Sequence, residues 1–404
     1  MKKGSKLADW KVERLGDVCE VNPRRPMIDR PDSKPTTFVP MAAVDDVDGI
    51  VARPEQRLFS SVKKGYTFFT ENDVIFAKIT PCMQNGKQAI ARNLIDGIGF
   101  GSTEFHVIRP NEKILAEWIW YFVRQPIVLE TATKFFTGTV GQQRVPDSYL
   151  KSLEIPVPPL PEQQRIVSVL DEAFESISQA KSNAERNLVN ARELFDSYLH
   201  VIFETPGKNW ETCALDKYVK FIDYRGHTPT KTESGMRLIT AKNVKLGFLQ
   251  RIPEEFVDPK IYDSWMVRGF PVKGDVLFTT EAPLANIAQL DTDEKVLFAQ
   301  RIIILQPQQE KINQTFLKYL LLSQPIRKRI FSKATGATVQ GIKARWLKPV
   351  EIYFPPLAEQ RAIVGRLEAL SAETGRLEEI YQQKVESLEE LKKSVLRKAF
   401  AGEL

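Results

Sequence analysis

The chain is written twice, and this duplication constrains its fold more than any single motif. Residues 147–167 read DSYLKSLEIPVPPLPEQQRIV and residues 344–364 read ARWLKPVEIYFPPLAEQRAIV, matched without a gap. Leu150 and Leu347, Glu154 and Glu351, Pro158 and Pro355, and Gln163 and Gln360 each stand 197 residues apart. Further upstream, TGTVGQQR (137–144) answers TGATVQGIKAR (335–345) with a one-residue shift, and NDVIFAKITP (72–81) answers GDVLFTTEAP (274–283). HVIRP ending at Pro110 answers IILQP ending at Pro307, and FVPMAAV (38–44) answers LITAKNV (238–244). A repeat of this reach sets the architecture: two similar blocks of about 150 residues, each closed by a better matched segment.

Within the blocks, short runs rich in Val, Ile, Phe and Thr are broken by Gly, Pro and Asn, the pattern of an α/β fold. DVIFAKI, TEFHVIRP, DVLFTT and QRIIILQP are expected strands, while LAEWIWYFVRQ (115–125) and TFLKYLLLSQ (315–324) are expected helices, each stopped by a Gln-Pro step. After each block comes a proline strap, IPVPPLPEQ or YFPPLAEQ, and then a long helix, since proline is tolerated in a first helical turn. Ile166, Leu170, Ala173, Ile177, Ala180, Ala184, Asn187, Ala191, Leu194, Tyr198 and Val201 follow strict 4-3 spacing. Ile363, Leu367, Leu370, Thr374, Leu377, Tyr381, Lys384, Leu388, Leu391, Val395 and Lys398 repeat that phase 197 residues later. Helices of about 40 residues span about 60 Å, and an apolar heptad seam needs a partner, most simply the equivalent helix run antiparallel. Asn187 and Lys384 fall at equivalent points near the helix midpoints, where they could form a polar register-setting layer. Equally, Lys384 could reach solvent and Asn187 be merely tolerated. The expected segments are 1–156, 157–205, 206–354 and 355–404.

Little in the chain speaks for catalysis. Three cysteines (Cys19, Cys82, Cys213) are scattered without a Cys-x-x-Cys pair, so buried free thiols in a reducing cytoplasm are expected rather than disulfides or zinc. His106, His200 and His227 lie in separate segments with no neighbours at metal-ligand spacing. No phosphate-binding loop and no nucleophile elbow occur. Gly97, Gly99 and Gly101 in DGIGFGS precede an expected strand rather than a helix, so they are expected to be turn glycines. The proline straps lack the polar head and the following aromatic of an amino-methyltransferase motif. The basic N-terminus has no apolar signal core behind it, and no run approaches the ~20 apolar residues of a membrane span, so a cytoplasmic protein is expected. A net charge of +6 leans toward a polyanionic partner.

The duplicated TG…L…IPxPPLxEQ…I segment, each time opening a long heptad helix, resembles the signature of type I restriction–modification specificity subunits. GSTEFHVIRP (101–110), FAQRIIILQP (298–307) and LITAKNV (238–244) resemble recurring strings of that family's target-recognition domains. The resemblance implies two α/β target-recognition domains separated by two long antiparallel coiled-coil helices in a pseudo-two-fold repeat. It implies a non-catalytic subunit that binds a bipartite double-stranded DNA site. Modification (methyltransferase) subunits would dock on it and methylate adenine, and restriction (ATPase-nuclease) subunits would translocate and cleave. S-adenosylmethionine, ATP and Mg would belong to those partners. Two readers related by a pseudo-two-fold would face inverted half-sites about 10 base pairs apart, centre to centre.

Base reading needs paired donors and acceptors, Arg or Lys toward guanine and Asn or Gln toward adenine. Polar loops are the place to seek them. The first block offers Lys78, Gln84, Asn85, Lys87 and Gln88, then Gln142, Gln143 and Arg144. The second offers Arg225, His227 and Lys231, then Lys242 and Asn243, then Gln340, Lys343 and Arg345. Two other readings fit the residues: a stand-alone two-domain DNA-binding or architectural protein, and an autonomous methyltransferase.

Overall fold

A computed structural model describes residues 10–139, 142–224, 229–336 and 338–404. Arg225 and His227 lie outside the described residues. The chain forms two compact units, one of Met1–Ala184 with Gln383–Leu404 and one of Glu185–Gln382. Each unit therefore combines one block with a stretch of both long helices. Among the described residues six helices have eight or more residues: α1 (Ala116–Val123), α2 (Pro126–Thr133), α3 (Leu160–Glu204), α4 (Gln314–Leu322), α5 (Gln324–Phe331) and α6 (Leu357–Phe400). None is long and apolar enough to cross a membrane.

The block of the first unit holds two four-stranded sheets. One runs in spatial order Cys19–Val21, Phe105–Pro110, Val74–Ala77 and Gln88–Ile90, all antiparallel. The other runs Glu55–Leu58, Pro35–Val39, Ile98–Gly101 and Thr67–Thr70, with a parallel pair at its centre. Val74, Phe76 and Ile108 pack with α1, whose Trp118 and Ile119 are fully buried. Ile75 and Val107 point to the other side and pack with Val39, Phe69 and Phe105. The central strand is apolar at every position because both its faces are covered.

In the second unit the same plan recurs. Its sheets run Val219–Asp223, Ile302–Pro307, Val276–Thr279, Ile287–Gln289, and Lys231–Thr232, Phe256–Val257, Met236–Ile239, Leu297–Phe298. A two-stranded ribbon joins the first and last strands of each block, Lys11–Arg14 with Glu154–Val157 and Glu211–Ala214 with Glu351–Phe354. Three expectations need correction. Both Gln-Pro steps interrupt a helix but also start the next, because extended Gln125 and Ser323 break the chain direction and Pro126 and Pro325 fit a first helical turn. Gly99 and Gly101 are strand residues, where a Cβ would strike the Phe69 ring and, at 2.6 Å, the Val39 carbonyl. Cys19 is buried, and burial lifts its thiol pKa to about 12, but Cys82 and Cys213 are only half-buried.

The prolines of the strap precede a side chain that locks each long helix to its block. Gln163 is fully buried: its Oε1 accepts from Leu115 N at 2.9 Å, and its Nε2 donates to Lys113 O at 2.9 Å and Pro158 O at 2.8 Å. Gln360 repeats all three bonds at 2.8 Å, accepting from Asn313 N and donating to Lys311 O and Pro355 O.

Inside each unit α3 and α6 run antiparallel. In the first, Arg165 donates to Leu404 O, while further along Lys181 pairs with Glu389. In the second, Arg192 pairs with Glu378 at 2.9 Å, and Leu199 and Phe203 share a core with Leu367 and Ile363. The buried face departs from the strict heptad. Ile166, Leu170, Ile177, Ala184 and Ala191 are buried, but Leu194 is 51% and Val201 68% exposed, and Leu199 and Phe203 take their place. On α6 Leu391 is 47% exposed and Lys398 is exposed, while Leu396, Ala399 and Phe400 are buried. A straight helix drifts about 20° per heptad from a 3.5-residue seam, and the far turns pack on the block rather than only on the partner helix. Thr374, a polar exception on the seam, is buried with its hydroxyl donating to Leu370 O at 2.9 Å. Asn187 is half-buried in the second unit, whereas Lys384 is exposed in the first.

Candidate nucleic-acid interface

In the first unit the strand Val74–Ala77 delivers Lys78 to the end of its sheet, where the TG loop folds back on it. Thr137 and Ile79 both bridge Arg144, and Val145 N donates to Lys78 O at 2.9 Å. Gly138 permits the fold-back at φ +104°, and a Cβ there would lie 2.9 Å from Gln142 O. Thr80 N donates to Gln143 O at 3.0 Å, and its hydroxyl donates to Gln84 Oε1 at 2.6 Å. Lys78, Gln84, Gln142, Gln143 and Arg144 are thus gathered at one sheet end.

Two groups there carry opposite charge in fixed geometry. Arg144 Nε and Nη2 donate to Glu104 Oε2 and Oε1, both at 2.8 Å, and Nη1 donates to Gln142 O at 3.0 Å. The guanidinium holds the Glu104 carboxyl below its ordinary pKa, so the pair stays ionised at neutral pH. Beneath it sits His106, buried between Asn22, whose Nδ2 donates to Nδ1 at 3.0 Å, and Val145 O, which accepts from Nε2 at 2.8 Å. Burial lowers the imidazole pKa, and a proton on Nδ1 would set two donors face to face.

The sign of that effect follows from linkage. The folded pKa lies below the ordinary 6.5, so the neutral ring contributes stability above pH 6.5 that is lost as pH falls toward the folded value. Chemical denaturation from about pH 7 to about pH 5 is expected to show the chain losing stability, and His106→Gln to remove part of that slope. An unchanged slope would refute this role.

The second unit assembles the same corner from different residues. Ile342 N donates to Thr280 O at 2.9 Å, Glu281 and Thr335 bridge Gly341, and Gly336 turns at φ +112°. Arg301 Nε lies 3.0 Å from Glu281 Oε1. Gln340 and Lys343 flank this corner, exposed. Arg345 is also exposed, its guanidinium 5.4 Å from the Trp346 ring.

Other expected contact residues are placed elsewhere. Lys87 turns inward, its ammonium donating to Val44 O at 2.6 Å and Met41 O at 3.4 Å. Gln88 is fully buried in its strand and donates to Met83 O at 3.1 Å. Asn243, buried, accepts from Thr240 N at 2.9 Å and donates to Pro253 O at 2.9 Å, bracing a loop. These three are structural because backbone groups, distant in the chain for Lys87 and nearby for Gln88 and Asn243, take up their polar atoms. Lys231 pairs with Glu255 at 2.8 Å on the second sheet of its unit. Asn85 and Lys242 are exposed. Sequence reasoning passed over Glu104 and Arg301, which sit inside strand-like strings. It also passed over Asn22, Arg25 and Tyr66, which with Lys78 line a concavity of about 310 Å³ beside the same corner. The polar run NPRRP was the available signal for Arg25.

Some known proteins resemble this chain along 98% of its length, others along about half. The family profile described as type I restriction modification DNA specificity domain matches residues 8–186 and 268–387. The type I restriction enzyme EcoEI specificity subunit of Escherichia coli is 32% identical over 206 residues, 51% of this chain and 34% of its own length. The chain thus spans about a third of that relative. The MjaVIII specificity subunit of Methanocaldococcus jannaschii is 23% identical across 98% of this chain and 93% of its own. The HsdS subunit from Thermoanaerobacter tengcongensis superposes with a TM-score of 0.65 at 23% identity, covering 98% of this chain and 97% of that one. A chain from a structure of type I R-M system assembly and conformational transition gives 0.78 at 23% identity, covering 98% of both. These two likenesses speak for the fold alone. With the profile matching both halves and well over half of the residues, the chain belongs to the type I restriction–modification DNA specificity family.

Proposed function

We propose that this chain reads a bipartite double-stranded DNA site, one half with each unit, and directs adenine methylation and restriction carried out by partner subunits. One observation carries the reading: both units end a sheet in the same exposed corner, built around a TG loop and an arginine beside a carboxylate. Polar loops on a rigid sheet end are where sequence readers sit. The partners are modification subunits, which would bring S-adenosylmethionine, and restriction subunits, which would bring ATP and Mg. The chain contributes recognition in the cytoplasm and no chemistry of its own.

Mapping N6-methyladenine in a host carrying this chain together with a type I modification subunit tests the proposal. Two short defined blocks separated by a fixed gap are expected. Changing Gln142, Gln143 and Arg144 together to alanine is expected to relax one block and leave the other. A methylation pattern independent of this chain sinks the proposal. DNA binding by the purified chain without any methyltransferase association would leave a stand-alone DNA-binding protein.

A further inference from the structure

We infer that Arg144 and Arg301 each read a guanine, one in each half-site, with Glu104 and Glu281 as the side chains that aim them. The inference rests on the DNA-reading function proposed above. A guanidinium has five N–H donors. Glu104 takes two from Arg144 and the Gln142 carbonyl takes a third, which leaves two on a group whose side chain is 39% exposed. Two donors in a fixed plane match the O6 and N7 acceptors of guanine in the major groove.

A phosphate anchor has different needs. It works as a point of positive charge, and a carboxylate at 2.8 Å cancels most of that charge while supplying direction. The corner is therefore built for orientation rather than for attraction.

Independent support comes from the second unit. By the backbone bridges of the two corners, Arg144 corresponds to Gly341 and Glu104 to Arg301, so the pair could have been lost there. Instead the arginine stands where the first unit has its glutamate, and Glu281, which bridges Gly341, supplies the carboxylate. Arg301 is 44% exposed and holds φ +81°, a backbone region that costs a non-glycine residue energy and that collects at functional positions. Two non-equivalent routes each set an arginine beside a carboxylate, through two hydrogen bonds in the first unit and one contact of 3.0 Å in the second.

The test maps methylated sites for the full chain co-expressed with its methyltransferase, in wild type and in Arg144→Lys, Arg144→Ala, Glu104→Gln and Arg301→Lys. Each wild-type half-site should contain a strongly preferred G·C pair. Arg144→Lys keeps the charge but loses the fork, so preference at one G·C position should fall about tenfold to 100-fold in one half-site only. Glu104→Gln should weaken the same position, and Arg301→Lys a position in the other half. An unaltered motif in Arg144→Ala overturns the inference, and a lowered unfolding free energy beside it makes the pair purely structural. Uniform loss of methylation without relaxed sequence also overturns it, in favour of phosphate contact. If the alanine variant fails to fold, the lysine variant decides by the same two criteria. A wild-type chain yielding no bipartite motif sinks the DNA-reading proposal itself, and this inference with it.

Discussion

Gln163→Ala is expected to lower the unfolding free energy by about 3–5 kcal/mol, because it strips partners from three backbone groups at once and leaves a cavity where a fully buried side chain stood. An ordinary hydrogen-bond deletion costs about 1 kcal/mol when water can replace the partner. Here the side chain is fully buried and its partners lie at the junction of strap, helix start and block. Gln163→Glu should be no milder, since it keeps the acceptor for Leu115 N but loses both donors and buries a charge. Gln360 makes the same bonds in the second unit, so Gln360→Ala should cost a similar amount there. Denaturant titration of the full chain would measure both. A loss below about 1 kcal/mol would show that the amide is not a clamp.

The second large effect concerns Trp118. It is fully buried in the first unit, its indole N–H donates to Pro156 O at 2.9 Å, and its ring lies 4.4 Å from that of Phe400 and 6.0 Å from that of Trp10. One side chain thus ties α1, the ribbon strand and the last turn of α6 together. Trp118→Ala leaves a cavity and an unpaired carbonyl and should cost about 4 kcal/mol or more. Phe400→Ala removes one wall of the same cluster and should cost about 3 kcal/mol. Because the two rings touch, the double variant should cost less than the sum of the singles. Full additivity in denaturant titrations would deny the contact any energetic role.

Much of this fold is legible in the residues because burial imposes a period. The runs in DVIFAKI and QRIIILQP are strands buried on both faces, and the spacing from Ile166 to Ala191 marks the covered side of α3. Where the covering surface changes along the helix, the same spacing misleads, and Leu194 and Val201 face out. The corner residues were legible only as a set. Lys78 and Lys87 lie nine positions apart in one polar run, yet one reaches the sheet end while the other is spent on Val44 and Met41 carbonyls. A lysine's fate depends on which backbone passes nearby, and its own sequence does not record that.

Sequence alone therefore determined the duplication, the two α/β blocks, the long helices after each strap and the family. These follow from periodicity and from residues repeated at one fixed offset. Tertiary structure alone decided which polar side chains are braces and which are presented outward, since that choice is made by which backbone groups the fold brings within hydrogen-bond reach. It also decided that the arginine of the second corner is Arg301 rather than a counterpart of Arg144, because the corner can be filled from either of two neighbouring segments. The PPLxEQ string shows both halves of the division: its repetition is plain in the residues, but the three bonds of each glutamine exist only once the block has closed around it.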